Sequence, residues 1–396
     1  MNTSKRKAMA AALALAGLTF TCVPALAQDV VKIGYTGPLS GGAALYGKNV
    51  ADGVELAIKE INAAGLQVGG KSVQLQLVTL DDKYSPAEAA VNARRLVQES
   101  KVSAVFVPHS GGIYATQAFN QQQKFIVMGY SPLPGITERG NKLTVRIPPS
   151  FASYIEPWSR YQQSRFGKKV GLLPGDHDYA KAWTQLFTQG WTKVGGQVVA
   201  DNPMSYNKAA DFYSGVGRVL AAKPDVLFIG GASEPTGLVA KQARELGFKG
   251  GFVVMDQAKL DEMAKVTGGL ALLEGSVGLL PLSDDDREAS RTFVSAFGKA
   301  YGANRIATID SAYCYVFMHA LAGAMERLMP STPSLCTLPK LSFISRISGT
   351  ALSVRFTPPR STSIDNGSPA LMLTMRCMSE KPPIFSPLMA STRSPG

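Results

Sequence analysis

The chain has 396 residues, 45% hydrophobic and 18% charged, with a formal net charge of +12. That composition excludes a wholly disordered chain, and the length suits two domains of ordinary size. Much of the positive charge sits at the two ends, and the near-neutral body offers no clustered basic stripe for nucleic acid.

In chain order, Lys5-Arg6-Lys7 is followed by an apolar run from Ala8 to Phe20 and by the small-x-small triplet Ala25-Leu26-Ala27. The run is shorter than the ~20 residues of a membrane-spanning helix. The whole segment, residues 1–27, reads as a cleaved export signal that leaves Gln28 first and sends the chain to the periplasm. Cys314, Cys336 and Cys377, the cysteines beyond it, are too widely spaced for a disulfide framework or a metal cluster.

From Val30 on, short β-rich runs alternate with helical patterns. Val30–Tyr35 reads as a strand, and Lys48–Ala64 as a helix with Val50, Val54, Ala57, Ile58 and Ile61 on one face and Gly65 as its stop. Val73–Leu80 alternates as a strand with one solvated face does. Ser85-Pro86-Ala87-Glu88 combines a capping box with proline at the first helical position, opening a helix to about Ser100. Buried strands follow at 105–107 and 125–128, separated by a helix. After Pro148-Pro149 the pattern restarts. Helices are expected at 151–166, 178–194, 208–221 and 235–246, and strands at 170–173, 197–200, 225–229 and 252–255. A strand near 275–280 and helices near 284–301 and 308–327 complete it. This repetition predicts an α/β protein of two doubly wound parallel-sheet lobes joined by a hinge. Ligands in such sheets bind beyond the carboxyl ends of the strands.

The loops after the strands therefore carry the candidate site. Gly37, Gly41, Gly42 and Gly47, with Tyr46, follow the first strand, but the run is not a dinucleotide fingerprint. His109-Ser110-Gly111-Gly112 opens a helix, where a hydroxyl and free N–H groups suit a carboxylate or serve only as a cap. Tyr130-Ser131-Pro132 follows the next strand, and Asp176-His177-Asp178-Tyr179 the one after 170–173. Asp256, after 252–255, suits a ligand ammonium or caps a helix. Asp81-Asp82 reads as the start of a solvated turn. No nucleophile, base and orienter are spaced as a catalytic set, and no metal or cofactor is expected.

Ile33-Gly34, Gly37-Pro38-Leu39-Ser40-Gly41, Tyr46-Gly47, Gly53-Val54-Glu55-Leu56-Ala57 and Ile61-Asn62-Ala63-Ala64-Gly65, with Asp81-Asp82, Pro134 to Arg139 and Asp176 to Tyr179, together resemble the leucine/isoleucine/valine-binding proteins of ABC transporters. The likeness runs from about Val30 to Arg327. It implies a type I periplasmic binding fold, a non-enzymatic monomer that closes on a small solute and delivers it to a membrane permease. The alternative on the same fold is a sensory receptor passing ligand occupancy to a membrane partner. The implied carboxylate contacts are His109 or Ser110, with Ser131, and Gly111 joins them as a ligand-binding residue. Tyr46, Tyr130 and Tyr179 would line the cleft and Asp256 would take the ammonium. Ala232 stands where an aromatic is common, and Pro132 replaces a carboxylate-holding threonine; both widen the ligand class to bulkier hydrophobic acids, aromatic acids or amides. The resemblance implies a first lobe at 28–147, a second at 148–254 and a segment, 255–328, that mainly returns to the first. Residues 329–396, rich in Ser and Pro, leave the pattern; a reading-frame shift near Leu328 is expected, the alternative being a natural low-complexity tail.

Overall fold

The computed structural model describes residues 29–328. The expectations for the export signal and for the tail lie outside it.

The first lobe comprises β1 (Asp29–Gly37), α1 (Ala44–Ala64), β2 (Gln67–Val68), β3 (Lys71–Asp81), α2 (Pro86–Gln98), β4 (Ala104–Val107), α3 (Ser110–Gln117), α4 (Asn120–Gln123), β5 (Ile126–Gly129), α5 (Gly135–Glu138) and β6 (Thr144–Arg146). Its sheet has the order β2-β3-β1-β4-β5-β6, parallel except for β2. The second lobe comprises α6 (Ala152–Arg165), β7 (Lys169–Pro174), α7 (Asp178–Lys193), β8 (Gln197–Asp201), α8 (Tyr213–Leu220), β9 (Val226–Gly230), α9 (Ser233–Glu245), β10 (Gly251–Val254), α10 (Leu260–Thr267) and β11 (Ser276–Val277). Its sheet is parallel in the order β11-β10-β9-β7-β8. Then α11 (Glu288–Tyr301) and α12 (Ile309–Leu328) return to the first lobe.

Local chemistry explains the elements. β4, β5, β9 and β10 are buried along their whole length, as strands covered by helices on both faces must be. β3 alternates at its start, with Val73 and Leu75 buried and Gln74 and Gln76 exposed. α1 buries the stripe Val50, Val54, Ala57, Ile58 and Ile61, and stops at Gly65, whose φ of 84° no branched residue adopts cheaply. The Ser85 hydroxyl accepts the Glu88 N–H, and Pro86 starts α2.

Two expectations move. The second sheet takes in β11 as well as β10, so the return to the first lobe, expected to occupy most of 255–328, begins after Val277. β11 falls within the strand expected near 275–280, so what differs is the sheet it joins. α8 starts at Tyr213 rather than 208, because the Phe212 N–H is taken by the Gln242 side chain and not by a preceding helical turn. Among the described residues the chain crosses between the lobes at Pro148-Pro149 and near Leu279, and both places border the space between them.

Helices α1 and α12 meet at Gly53, where a Cβ would overlap the carbonyl oxygen of Ser311. Gly53→Ala should destabilise the protein by about 2 kcal/mol, because overpacking outweighs the helix-propensity gain. A fall in the urea midpoint at unchanged slope would show it.

Candidate functional site

The first-lobe wall is built on the loop after β4. His109 is buried and both its ring nitrogens are engaged. Nδ1 accepts the Gly112 N–H at 3.0 Å, capping α3, so Nε2 carries the proton and donates to Asp82 at 3.0 Å. Asp82 is fully buried, also accepting from Thr36 and the Tyr84 N–H. The expected solvated turn is thus only half right: Asp81 organises the loop of Leu39 and Ser40, whereas Asp82 anchors the histidine. Lys83 and Tyr84 both sit in the left-handed region, at φ 53° and 64°, supported by the two aspartates. That conformation lays the Tyr84 ring on His109, 4.7 Å between centroids.

Ser110, at the start of α3, shares a 2.7 Å hydroxyl–hydroxyl bond with Ser131 beyond β5. The N–H groups of Ser110 and Gly111 have no acceptor within their own helix. Tyr46 is tied to the Pro108 carbonyl, and Tyr130 donates to Asp310 at 2.6 Å.

The second-lobe wall centres on Asp256, just past β10. Tyr179 and Trp183, on one face of α7, both donate to its Oδ1. Its Oδ2 takes no hydrogen bond from the described residues. Burial raises the Asp256 carboxyl to about 6, against the lowering pull of Tyr179, Lys259 and Trp183. Lys259 sends its ammonium to the carbonyls of Asp256 and Gln257, at 2.7 and 3.0 Å, and to Asp310 of α12 at 3.0 Å.

Seven of the nine expected site residues line one cavity: Tyr46, His109, Ser110, Tyr130, Ser131, Tyr179 and Asp256. Gly111 stands beside it, with no room for a Cβ against Pro86 and, across the cleft, Asp178. Ala232 is buried against first-lobe residues and does not line the cavity. Sequence reasoning missed Tyr84, Tyr154, Gln257, Asp310 and Tyr313. Of these Gln257, next to Asp256, and Tyr84, just past β3, lay within reach of the strand-end rule. The lobes touch through Tyr84 with Gln257 at 2.8 Å and Asn49 with Glu262 at 2.6 Å. His177 caps α7 and packs edge-on against Tyr84, and burial lowers its pKa to about 4. The cavity is about 30 Å³, room for a couple of waters, so a solute enters only when the lobes part.

Comparison with known proteins decides what this clamshell is. The profile of the family described as "Periplasmic binding protein" matches residues 30–338. The chain belongs to the periplasmic binding protein family. A leucine-, isoleucine-, valine-, threonine- and alanine-binding protein of Pseudomonas aeruginosa is 24% identical over 75% of this chain and 78% of its own. The Leu/Ile/Val-binding protein of Escherichia coli is 25% identical with the same coverage. Among solved structures, the branched-chain amino-acid substrate-binding protein LivJ of Streptococcus pneumoniae, in complex with isoleucine, superposes with a TM-score of 0.66. It is 25% identical, over 81% of this chain and 88% of that one. The fold is accordingly the type I periplasmic binding fold, in which two lobes close on a solute. Among the described residues no helix is long and apolar enough to cross a membrane.

Proposed function

We propose that this binding protein takes up a hydrophobic α-amino acid in the periplasm for an ABC permease. The observation that carries the reading is the pairing of two poles across one tyrosine-lined cavity: the Ser110–Ser131 hydroxyls on one wall and the free oxygen of Asp256 on the other. Hydroxyls and the first N–H groups of α3 suit a carboxylate, and Asp256 suits an ammonium. Among the described residues the cavity lining holds no Lys or Arg, which argues against a multiply charged anion. Tyrosine walls accept aliphatic and aromatic side chains alike. The named ligands of the relatives, leucine, isoleucine, valine, threonine and alanine, have the same two poles. With Pro132 in place of a donor, the two serines carry more of the carboxylate contact.

The test is a thermal-shift and calorimetric screen of aliphatic and aromatic amino acids, their amides, and aromatic carboxylates. A ligand at 100 times its Kd stabilises by about 2.7 kcal/mol. α-Amino acids are expected to shift the melt. Affinity should fall about tenfold per pH unit below pH 6, since ammonium binding needs ionised Asp256. His177, neutral when the lobes bury it, pushes in the same direction. Shifts confined to carboxylates without an amino group, or affinity independent of pH, would overturn the reading.

A further inference from the structure

We propose that Gln257 is a specificity-determining residue whose side-chain oxygen accepts a second N–H of the ligand ammonium, beside Asp256. This rests on the reading above that the ligand carries an α-ammonium.

Asp256 and Gln257 are the two central residues of a turn closed by the Ala258 N–H on the Met255 carbonyl, 3.0 Å away. Lys259 pins the turn by binding the carbonyls of both residues while it pairs with Asp310. Both side chains line the cavity, and Gln257 is 5% exposed. Its Nε2 donates to the Tyr84 hydroxyl across the cleft at 2.8 Å. Its Oε1 is buried without a partner. A buried amide oxygen with no donor is rare unless something else supplies one. The neighbouring Asp256 oxygen also takes no hydrogen bond from the described residues.

The chemistry of an ammonium fits this pair. It has three N–H groups diverging from one nitrogen, and the single free oxygen of Asp256 takes one of them. A neutral amide oxygen takes another without adding a third buried negative charge to Asp256 and Asp310. The carboxylate end of the ligand needs donors, which an amide oxygen does not offer. Gln257 therefore reads the amino group while its amide nitrogen holds Tyr84 of the opposite lobe.

The test measures Kd by calorimetry for L-leucine and L-phenylalanine and for their deamino counterparts, 4-methylpentanoate and 3-phenylpropanoate. Gln257→Met keeps the length of the side chain and removes the oxygen. It should weaken the amino acid about tenfold or more beyond its effect on the deamino acid, which registers only the lost Nε2 bond to Tyr84. Tyr84→Phe, which loosens the lobe contact alone, should weaken both alike. Gln257→Leu serves if the Met variant does not melt cooperatively. A crystal structure of the complex with the tighter amino acid should place the ligand nitrogen about 2.7–3.2 Å from Oε1. A nitrogen more than about 4 Å away, or equal losses for both ligand classes with Gln257→Met, overturns the proposal. Failure of both amino acids to bind the unaltered protein sinks the functional reading itself, and this inference with it.

Discussion

Lys259→Met is expected to destabilise the protein by about 3–5 kcal/mol, the cost of stranding one partner of a buried ion pair. Lys259 and Asp310 are each 5% exposed at the side chain and 3.0 Å apart. The lysine ammonium spends its three N–H groups on Asp310, the Asp256 carbonyl and the Gln257 carbonyl. Methionine matches the length of the stem but offers none of them. Asp310 would keep only the Tyr130 hydroxyl, and two carbonyls would lose their donor. The loss should appear as a lower urea midpoint. Adding Asp310→Asn removes the stranded charge and should recover part of it. The double variant is the control that separates the charge from the packing. A single-variant loss below about 1 kcal/mol would mean that water reaches the pair and that the turn carrying Asp256 and Gln257 is not held by it. Lys259 belongs to the second lobe through its N–H bond to Ser233, and Asp310 to the first through α12. The pair therefore also joins the lobes beside the crossing at Leu279.

How much of this was legible in the sequence follows from range. Strand and helix identity are local, so the apolar runs of β4, β5 and β9 and the stripe of α1 were readable directly. The strand-end rule then reached Ser110, Ser131, Tyr179 and Asp256, because each lies within a few residues of a strand's carboxyl end. Asp310 could not be reached that way. It opens α12, and only the return of that helix to the first lobe brings it to Lys259 and Tyr130. Trp183 reads as an apolar residue of α7; that its N–H meets Asp256 depends on the register of α7 against β10. Asp82 looked solvated because Asp-Asp-Lys is a polar turn, yet the partner that buries it, His109, lies 27 residues on. A strand near 275–280 was readable, but its sheet was not, because only the pairing with β10 places β11 in the second lobe.

Asp256→Asn should abolish useful amino-acid binding and make the protein more stable at neutral pH. Asparagine keeps an oxygen for the Tyr179 and Trp183 donors, so the local frame survives. It removes the charge proposed to face the ligand ammonium, and truncating one side of a buried, hydrogen-bonded charge pair costs about 2–5 kcal/mol, a Kd rise of roughly 30- to several-thousand-fold. The stability effect has the opposite sign. Burial raises Asp256 from 3.8 to about 6, so its ionised form costs the empty protein about 3 kcal/mol above pH 6. Below pH 4 the acid is protonated in folded and unfolded chains alike, and that cost vanishes. The advantage of the asparagine variant is therefore near zero at pH 4, grows between pH 4 and 6, and is full above it. The new NH2 group, set where Oδ2 had no donor, subtracts from it. Parallel melts from pH 4 to 8 would show a gain of several degrees at pH 7 and none at pH 4. A variant less stable than the original at every pH would mean that the carboxylate is structural and that the ligand ammonium is held elsewhere. Stability gained together with binding lost would mark Asp256 as a charge kept buried for its ligand, at a cost the rest of the fold offsets.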